Sequence, residues 1–141
     1  MKLLIVGCGR VGSAIAEQMA HEHHQVSVID EDPEALQRLS PGWQGSFAVG
    51  HGLDIEVLEE GGIETADAVV VATDGDNTNI VLAQVAQQRY GCPCVVTRVL
   101  DPARAALYAD LGLRTVCPTS GAIDVMIQAV CATPGRAQAS A

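Results

Sequence analysis

Short apolar runs alternate with segments of helical pattern along the whole of this 141-residue chain. Six such runs, rich in β-branched residues, occupy residues 3–6, 25–30, 46–50, 68–73, 94–99 and 114–117. Parallel neighbours in a sheet need a crossover connection, so strands separated by helices indicate a parallel sheet. Runs without polar alternation, such as residues 3–6, are typical of strands that helices cover on both faces. We therefore expect an α/β fold, a single domain with a doubly wound, Rossmann-like sheet of six parallel strands.

The composition leaves room for one such domain. With 48% hydrophobic and 18% charged residues, the chain can bury a substantial core but cannot form a second domain. We expect residues 1–132 to form the domain and residues 133–141 (TPGRAQASA), which show no pattern, to form a flexible tail. The net charge of −9 and the single lysine argue against a nucleic-acid partner, because phosphate backbones are bound by clustered basic side chains.

Neither a secretory signal nor a membrane span is predicted. The apolar start, residues 3–6, is shorter than the roughly 7 to 15 residues of a signal-peptide core. The longest later run, residues 68–72, is far below the roughly 20 residues that cross a bilayer. Five cysteines at irregular spacing do not indicate a disulfide framework, and they suit a reducing compartment. We expect a cytoplasmic protein with no segment inserted in the membrane.

Two clusters of metal-ligating residue types are present, and neither predicts a metal site. Cys92 and Cys94 form a Cys-Pro-Cys sequence, but no second pair of cysteines or histidines follows at zinc-site spacing. His21, His23 and His24 lie near the end of the first predicted helix, where imidazole suits the last carbonyl groups. We expect buried or edge thiols, a solvated helix terminus and no bound metal.

The first predicted helix begins in a glycine-rich turn. Gly7, Gly9 and Gly12 form the pattern G-x-G-x-x-G between the first strand and this helix, a context in which the pattern indicates a dinucleotide-binding turn. Gly7 permits the tight turn, Gly9 lets a pyrophosphate approach the backbone, and Gly12 permits close packing of the helix on the strand. The N–H groups of the first helical turn favour phosphate. Residues four apart predict one apolar face for this helix, formed by Val11, Ile15 and Met19.

An acidic residue lies where a dinucleotide site needs one. Asp30 ends the second predicted strand, 18 residues after Gly12 and close to the spacing of about 20 expected for a carboxylate that binds ribose hydroxyls. This carboxylate repels a 2′-phosphate, so the site favours NAD, NADH or an adenine nucleotide over NADP. The alternative is a Rossmann-like core with an ordinary tight turn and a solvated acid.

Residues for catalysis beside such a cofactor are not evident. A dehydrogenase needs a substrate domain or an acid–base pair, and six strands use nearly the whole chain. Tyr90 and Tyr108 have no lysine four residues later, and no G-x-S-x-G or H-E-x-x-H sequence occurs. We therefore expect binding without chemistry, and not an enzyme. The alternatives are a small NAD-dependent oxidoreductase subunit that works with a separate substrate-binding subunit, and a transcriptional or redox sensor.

Four segments together resemble one known family. They are MKLLIVGCGRVGSAIA, VSVIDEDPEAL, DIEVLEEGGIETADAVVVATDGDNTNI and TRVLDPARAALYADLGLRTVCPT, and the resemblance spans residues 1 to about 131. The chain is similar to the nucleotide-binding N-terminal half of Trk potassium-uptake regulatory proteins, the RCK or KTN domain. The resemblance implies a cytoplasmic, non-catalytic regulatory subunit that binds NAD(H) or an adenine nucleotide such as ATP, ADP or AMP. It also implies a homo-dimer or ring beneath a membrane-embedded potassium transporter or channel, whose pore the nucleotide gates.

The resemblance assigns ligand contacts by motif. It implies a phosphate loop and a ribose pair, formed by Gly7, Cys8, Gly9, Arg10 and Val11 and by Asp30 and Glu31. The sequence VGHGLD places His51 where the family usually has an acidic or amide residue, and we expect the imidazole to stack on the adenine or to hydrogen-bond it. Thr73 and Asp74 end the fourth strand beside the crevice in which doubly wound sheets bind ligands.

Arg98, in the sequence TRVLDP, matches an arginine of the family. Its guanidinium is expected to contact a phosphate, Asp74 or a neighbouring subunit, and the alternative is a strand-end salt bridge. Asn77 and Asn79 are interpreted as cap or turn residues, because asparagine side chains bond readily to nearby backbone groups.

The last predicted helix is more apolar than one sheet face needs. Its stripe of Ile123, Met126, Ile127 and Val130 is widened by Ala122, Val125 and Ala129. Such a helix suggests burial against a second copy of the chain, as in the family, and the alternative is packing on its own sheet. The family's usual C-terminal ligand domain does not follow in this sequence. We expect a single-lobe member or a piece of a longer chain, with dimerisation better supported than ring assembly.

Overall fold

The sheet has the predicted six strands. The computed structural model describes residues 1–136, and residues 137–141 of the expected tail lie outside the described residues. The strands are β1 (Lys2–Val6), β2 (Gln25–Asp30), β3 (Ser46–Val49), β4 (Ala68–Val71), β5 (Cys94–Arg98) and β6 (Arg114–Val116). All neighbours are parallel, in the order β3-β2-β1-β4-β5-β6. The expected doubly wound α/β sheet is confirmed, although four of the strands end one or two residues earlier than predicted.

Helices connect the strands. In residues 1–136 they are α1 (Arg10–His21), α2 (Ile55–Glu60), α3 (Asp76–Gln84), α4 (Pro102–Asp110) and α5 (Pro118–Cys131). Helix α3 continues as a π-helical turn, and Pro33–Arg38 and Ile63–Thr65 form 3₁₀ helices. Asp32, Asp54 and Asp101 each accept a hydrogen bond from a backbone N–H of the helix that follows, which fixes where these helices begin. Not one of the helices in this part of the chain is long and apolar enough to cross a membrane.

The strand order reverses at β1, which lies between β2 and β4. Val6 of β1 pairs with Ile29 of β2 and with Val71 of β4, so the three strands end at the same level. The turns that follow them therefore surround one crevice at the carboxyl edge of the sheet. A crevice at such a reversal is where doubly wound sheets bind their ligands.

Helices cover both faces of the sheet, as the continuous apolar runs predicted. Leu4 and Val6 of β1 pack into a core beneath α2 and α3, whereas Leu3 and Ile5 pack into a second core beneath α1. Successive side chains of a strand point to opposite faces, so one apolar run serves both cores. All four side chains are buried, and each contributes roughly 2 kcal/mol to folding.

Helix α1 lies so close to β1 that its contact face is made of small residues. A Cβ added at Gly12 would lie 1.8 Å from the carbonyl oxygen of Gly7. The buried residues of the helix are Gly12, Ser13 and Ala16. The predicted apolar face is wrong at Val11, which is 41% exposed, while Ile15 and Met19 are half-buried beside the contact. Large side chains do not fit between backbones at this distance. The positions of the large apolar residues therefore do not identify the face of α1 that contacts β1.

Helix α5 buries none of its residues. Its large apolar side chains are 47–73% exposed, at Ile123, Val125, Met126, Ile127 and Val130. The alternative in which this helix packs on its own sheet is therefore wrong. The helix presents a wide apolar surface to its surroundings.

Gly12→Ala is expected to destabilise the domain strongly, because the added methyl group overlaps the Gly7 carbonyl and displaces α1 from β1. The free energy of unfolding, measured by urea denaturation, should fall by more than about 3 kcal/mol. A Cβ at Gly121 in α5 meets nothing within 4 Å, so Gly121→Ala is the matched control. This control should keep the wild-type stability or gain up to about 1 kcal/mol. Equal unfolding midpoints for Gly12→Ala and wild type would contradict the close contact.

Candidate functional site

The turns after β1, β2, β3 and β4 enclose a cavity of about 420 Å³ at the carboxyl edge of the sheet. Eight of the eleven predicted site residues line it, namely Gly7, Gly9, Arg10, Asp30, Glu31, His51, Thr73 and Asp74. The other three lie outside the lining: Cys8, Val11 and Arg98. The cavity also has polar lining residues that the sequence analysis missed, among them Asp32, Arg38 and Thr78.

The glycine turn presents backbone atoms to the cavity. Gly7 has a φ of +103°, and a Cβ there would lie 2.6 Å from the carbonyl oxygen of Ala72. Gly9 is the N-cap of α1, has no side-chain cap, and has nothing within 4 Å of an added Cβ. The fold therefore requires glycine at position 7 but not at position 9. The N–H groups at the start of α1 have no side-chain partner, and the helix dipole favours an anion beside them.

Asp30 holds the glycine turn as well as facing the cavity. Its Oδ2 accepts a hydrogen bond from the backbone N–H of Cys8 at 2.7 Å, and its Oδ1 accepts one from Asp32 N–H at 2.9 Å. A carboxylate has about four lone-pair sites, so each oxygen retains acceptor capacity for a ribose hydroxyl. The position of Asp30 in the sequence indicated only the ribose role, and the bond to Cys8 of the turn was not predicted.

Cys8 lies under the glycine turn instead of in the cavity. Its side chain is fully buried, with Sγ 3.5 Å from the carbonyl oxygen of Ala35. Burial raises the pKa of this thiol, and the nearby Asp30 carboxylate raises it further. Because the backbone N–H of Cys8 bonds to Asp30, it does not face a phosphate in the cavity. Cys8 therefore anchors the turn, and the exposed Val11 lies outside the cavity lining.

Arg38 is a cavity residue that the sequence analysis missed. It ends the 3₁₀ helix Pro33–Arg38, and its Nη1 donates a hydrogen bond to the carbonyl oxygen of Cys8 at 3.2 Å. Together with Arg10 it places two positive charges beside the start of α1. The side chain returns to a residue 30 positions earlier in the chain, a contact that no local sequence pattern reports.

His51 and Glu31 lie at the outer rim of the cavity, after β3 and β2. The Nδ1 of His51 accepts a hydrogen bond from the backbone N–H of Leu53 at 3.1 Å. In the neutral ring the proton is therefore on Nε2, which lies 4.0 Å from Oε2 of Glu31. The imidazole thus presents a donor at the rim, where the resemblance implies the adenine.

The side chain of Asn79, a residue of α3, holds the turn after β4. The residue is 1% exposed, and its Nδ2 donates to the carbonyl oxygens of Thr73 and Arg98, both at 3.0 Å. Its Oδ1 accepts from the backbone N–H of Thr73 at 3.1 Å. The turn role predicted for Asn79 is therefore present. Its side chain is buried, and its hydrogen bonds join the ends of β4 and β5.

Arg98 holds the same turn from β5. Its Nη2 donates to the carbonyl oxygen of Thr73 at 2.7 Å and lies 3.8 Å from Oδ1 of Asp74. Of the contacts expected for Arg98, pairing with Asp74 is therefore present in the described chain. Asn77 lies at the surface, where its Oδ1 accepts a hydrogen bond from Arg104 at 2.5 Å.

The clusters of cysteine and histidine do not form a metal site in the described part of the chain. No group of three or more His, Cys, Asp or Glu side chains in residues 1–136 is arranged to hold a metal ion. Cys92 and Cys94 are free thiols, and Cys92 is buried with its Sγ 3.5 Å from the carbonyl oxygen of Ala66.

Comparison with known proteins places these features in a family. The sequence matches the family model described as the TrkA-N domain over residues 3–119. One curated relative, the Trk system potassium uptake protein TrkA of Streptomyces coelicolor, is 41% identical over 128 residues. The match covers 91% of this chain and 57% of that protein, so the chain spans little more than half of the relative's length.

Solved structures share the fold at lower sequence identity. The Shewanella denitrificans Kef CTD in its AMP-bound form superposes with a TM-score of 0.77 at 21% identity, covering 96% of this chain and 84% of that chain. The GsuK channel bound to NAD gives a TM-score of 0.73 at 22% identity, covering 89% of this chain and 22% of that chain. The structural likeness establishes the fold, and the sequence matches establish membership: this chain belongs to the TrkA-N domain family.

Proposed function

We propose that this chain is a nucleotide-binding regulatory domain of a potassium uptake system, with residues 1–132 as the binding domain. Its ligand is NAD(H) or an adenine nucleotide, and its partner is a potassium transporter or channel approached from the cytoplasm. The observation that carries the proposal is the open space beside Gly9 at the uncapped start of α1. A phosphate group that approaches the backbone there explains a glycine that no packing contact requires.

The surroundings of Gly9 match the other parts of a nucleotide. Arg10 and Arg38 supply positive charge beside the phosphate position, and Asp30 offers acceptors to ribose hydroxyls. His51 and Glu31 flank the outer rim, where a base fits. The AMP-bound Kef CTD and the NAD-bound GsuK channel, which share the fold, support a ligand of the same class.

A role in potassium uptake is supported by family membership and by the name of the Streptomyces coelicolor relative. Binding in preference to catalysis is supported by how the polar side chains of the site are used. Asp30 accepts hydrogen bonds from the backbone of one turn, and Asn79 both accepts from and donates to the backbone of the other. Such groups fix the shape of a binding site and are poorly placed to transfer protons to a substrate.

A path of hydrogen bonds runs from the cavity edge to the last helix. Asp76, the first residue of α3, accepts bonds from the N–H groups of Leu100 at 2.7 Å and Asp101 at 3.0 Å. Burial acts to raise the pKa of Asp76, but these two bonds, together with the positive charges of Arg104 and Arg98, hold the pKa below its ordinary value. The carbonyl oxygen of Leu100 lies 3.6 Å from Sγ of Cys117, the N-cap of α5. This path is the proposed route by which ligand binding displaces α5.

A second copy of this chain is the proposed cover for the apolar surface of α5. The exposed apolar residues of α5 extend one helical turn to either side of Ile127. None of them is buried in the core of its own domain. Removing such a surface from water favours association. Two arrangements of the resulting dimer, with different affinity for nucleotide, would give the ligand control over the transporter.

Gly9→Ala is expected to fold normally and to lose nucleotide affinity. The added methyl group meets no protein atom within 4 Å, but it occupies the space through which a phosphate reaches the backbone. Titration calorimetry with NAD⁺ and with ADP should show binding at least about tenfold weaker than in wild type, equivalent to about 1.4 kcal/mol. The thermal midpoint of the ligand-free protein should stay within about 2 °C of wild type.

Gly42→Ala is the matched control for Gly9→Ala, because Gly42 also has open space around it but lies away from the cavity. This variant should bind as wild type does, and unchanged nucleotide affinity in Gly9→Ala would contradict the proposed site. In cells whose gene carries Gly9→Ala, the rate of potassium uptake should no longer change with the nucleotide concentration as it does in wild-type cells. Normal uptake in those cells, with binding lost in vitro, would contradict the regulatory role.

Ile127→Glu is expected to convert a dimer to a monomer, because a charge at the centre of the exposed stripe must be desolvated in a dimer interface. Size-exclusion chromatography with light scattering measures the mass directly. Gln128→Glu adds the same charge one residue further along α5 and should remain dimeric. A monomeric wild type, or a dimeric Ile127→Glu, would contradict this interface.

A further inference from the structure

A second cavity lies at the edge of the sheet opposite the nucleotide cavity. Helix α1 begins at the carboxyl edge and ends at His21, shortly before β2 begins, and residues 40–44 come shortly before β3. Because parallel strands all begin at the amino edge of their sheet, both segments lie at that edge. Between them is a cavity of about 610 Å³ to which the proposed function assigns no ligand.

Contacts between the two segments give this cavity a defined shape. The carboxylate of Glu17 accepts hydrogen bonds from the backbone N–H and the hydroxyl of Ser40. The indole Nε1 of Trp43 donates to the carbonyl oxygen of Ala16 at 3.3 Å. A Cβ at Gly45 would lie 2.2 Å from Cζ2 of Trp43, so glycine at this position makes room for the indole ring. The ring and the loop are therefore held against α1.

The charges around this cavity favour a cation. Glu17 and Glu22 line it, and no lysine or arginine is among its lining residues. Residues 11–37 and 39–88 contain neither residue type, and Arg38, between them, directs its guanidinium to the glycine turn at the other edge. The C-terminal end of α1 adds the partial negative charge of the helix dipole at the same place.

The indole of Trp43 favours a guanidinium group among the possible cations. An aromatic ring attracts a cation placed over its face, and the planar guanidinium of arginine stacks there while it donates to carboxylates. Glu22 retains acceptor capacity for such a donor, because only one short hydrogen bond, from Nε2 of Gln18 at 3.1 Å, reaches its carboxylate. A compact, strongly hydrated ammonium group matches the flat ring less well.

We propose that this second cavity binds an arginine side chain from a basic segment on the cytoplasmic face of the potassium transporter. The inference rests on the proposed function, which supplies that partner. Cytoplasmic loops of membrane proteins carry an excess of lysine and arginine. The lipid surface on the same side is anionic and repels a chain with a net charge of −9, so the basic protein segment is the complementary surface.

The position of the second cavity leaves it accessible when the other proposed sites are occupied. The nucleotide cavity lies at the carboxyl edge of the sheet, and the second cavity lies at the amino edge. Helix α5 follows β6, which is at the far end of the sheet from β3. Docking on the transporter is therefore compatible with bound nucleotide and with a dimer formed through α5.

Trp43 provides a direct measurement, because it is the only tryptophan of the chain. Its fluorescence in the full chain is recorded at low salt during titration with a capped pentapeptide that contains two arginines separated by glycine. We expect a saturable change, with an affinity at least about fivefold higher than for the same peptide with citrulline, which has the shape of arginine without its charge. Equal affinities for the two peptides, or no saturable change, would overturn the inference.

Glu22→Lys tests the assignment to this cavity. The reversed charge should weaken binding of the arginine peptide at least about fivefold, and a lysine at the end of α1 suits the helix dipole, so the variant should fold. Glu60→Lys is the matched control, because Glu60 is exposed at the end of α2 and lines neither cavity. Equal weakening in both variants would overturn the inference, since it would show only a general attraction between net charges.

Measurements in cells test the transporter as the source of the arginine. With Glu22→Lys in the gene, potassium uptake should lose its response to nucleotide concentration, although the purified variant binds NAD⁺ as the wild type does. A normal response in those cells would overturn the docking proposal and leave the nucleotide site standing. Failure of the wild type to bind NAD⁺ would instead contradict the proposed function, and the peptide titration, which needs no nucleotide, would still decide whether the second cavity binds arginine.

Discussion

The contact between α1 and β1 sets the geometry on which the site depends. Gly12 lies against the carbonyl oxygen of Gly7, with room for a hydrogen but not for a Cβ. This contact fixes the start of α1 directly beyond the end of β1. Because β1, β2 and β4 end in register, the N–H groups of that helix start face the same cavity as Asp30 and Thr73. A helix held further from the strand would separate the anion-binding backbone from the side chains around it.

The charges of the cavity suit the nucleotide that we propose as its ligand. The chain carries a net charge of −9, so its attraction for an anion has to be local. The uncapped start of α1, Arg10 and Arg38 supply that attraction at one place. The carboxylates of Asp30 and Asp74 also line the cavity, and in the proposed function Asp30 accepts hydrogen bonds from ribose hydroxyl groups. An acidic protein can therefore bind a phosphate-containing ligand without a basic surface.

The strands and the glycine turn could be predicted because their signals are local. Apolar runs and glycine spacing each report on the backbone within a few residues, and they indicated the sheet and the turn after β1. The glycine spacing and the position of the acidic residue after β2 indicated three residues of the cavity lining, and the resemblance to the family implied the other five. The buried face of α1 was predicted wrongly at Val11. The prediction followed the spacing of large apolar residues, whereas the close contact with β1 requires small ones. The cavity position of Arg38 and the bond from Asn79 to the end of β5 were missed because their partners lie on other strands and turns.

The central claim is that the N–H groups at the start of α1 bind the phosphates of an adenine nucleotide. Two-dimensional ¹H–¹⁵N NMR of the labelled chain, titrated with NAD⁺, tests it most directly. We expect the amide resonances of Gly9 and Arg10 to shift in a saturable way and to be among the largest changes in the spectrum. Saturation of the protein with NAD⁺ while both resonances remain in place would contradict the claim.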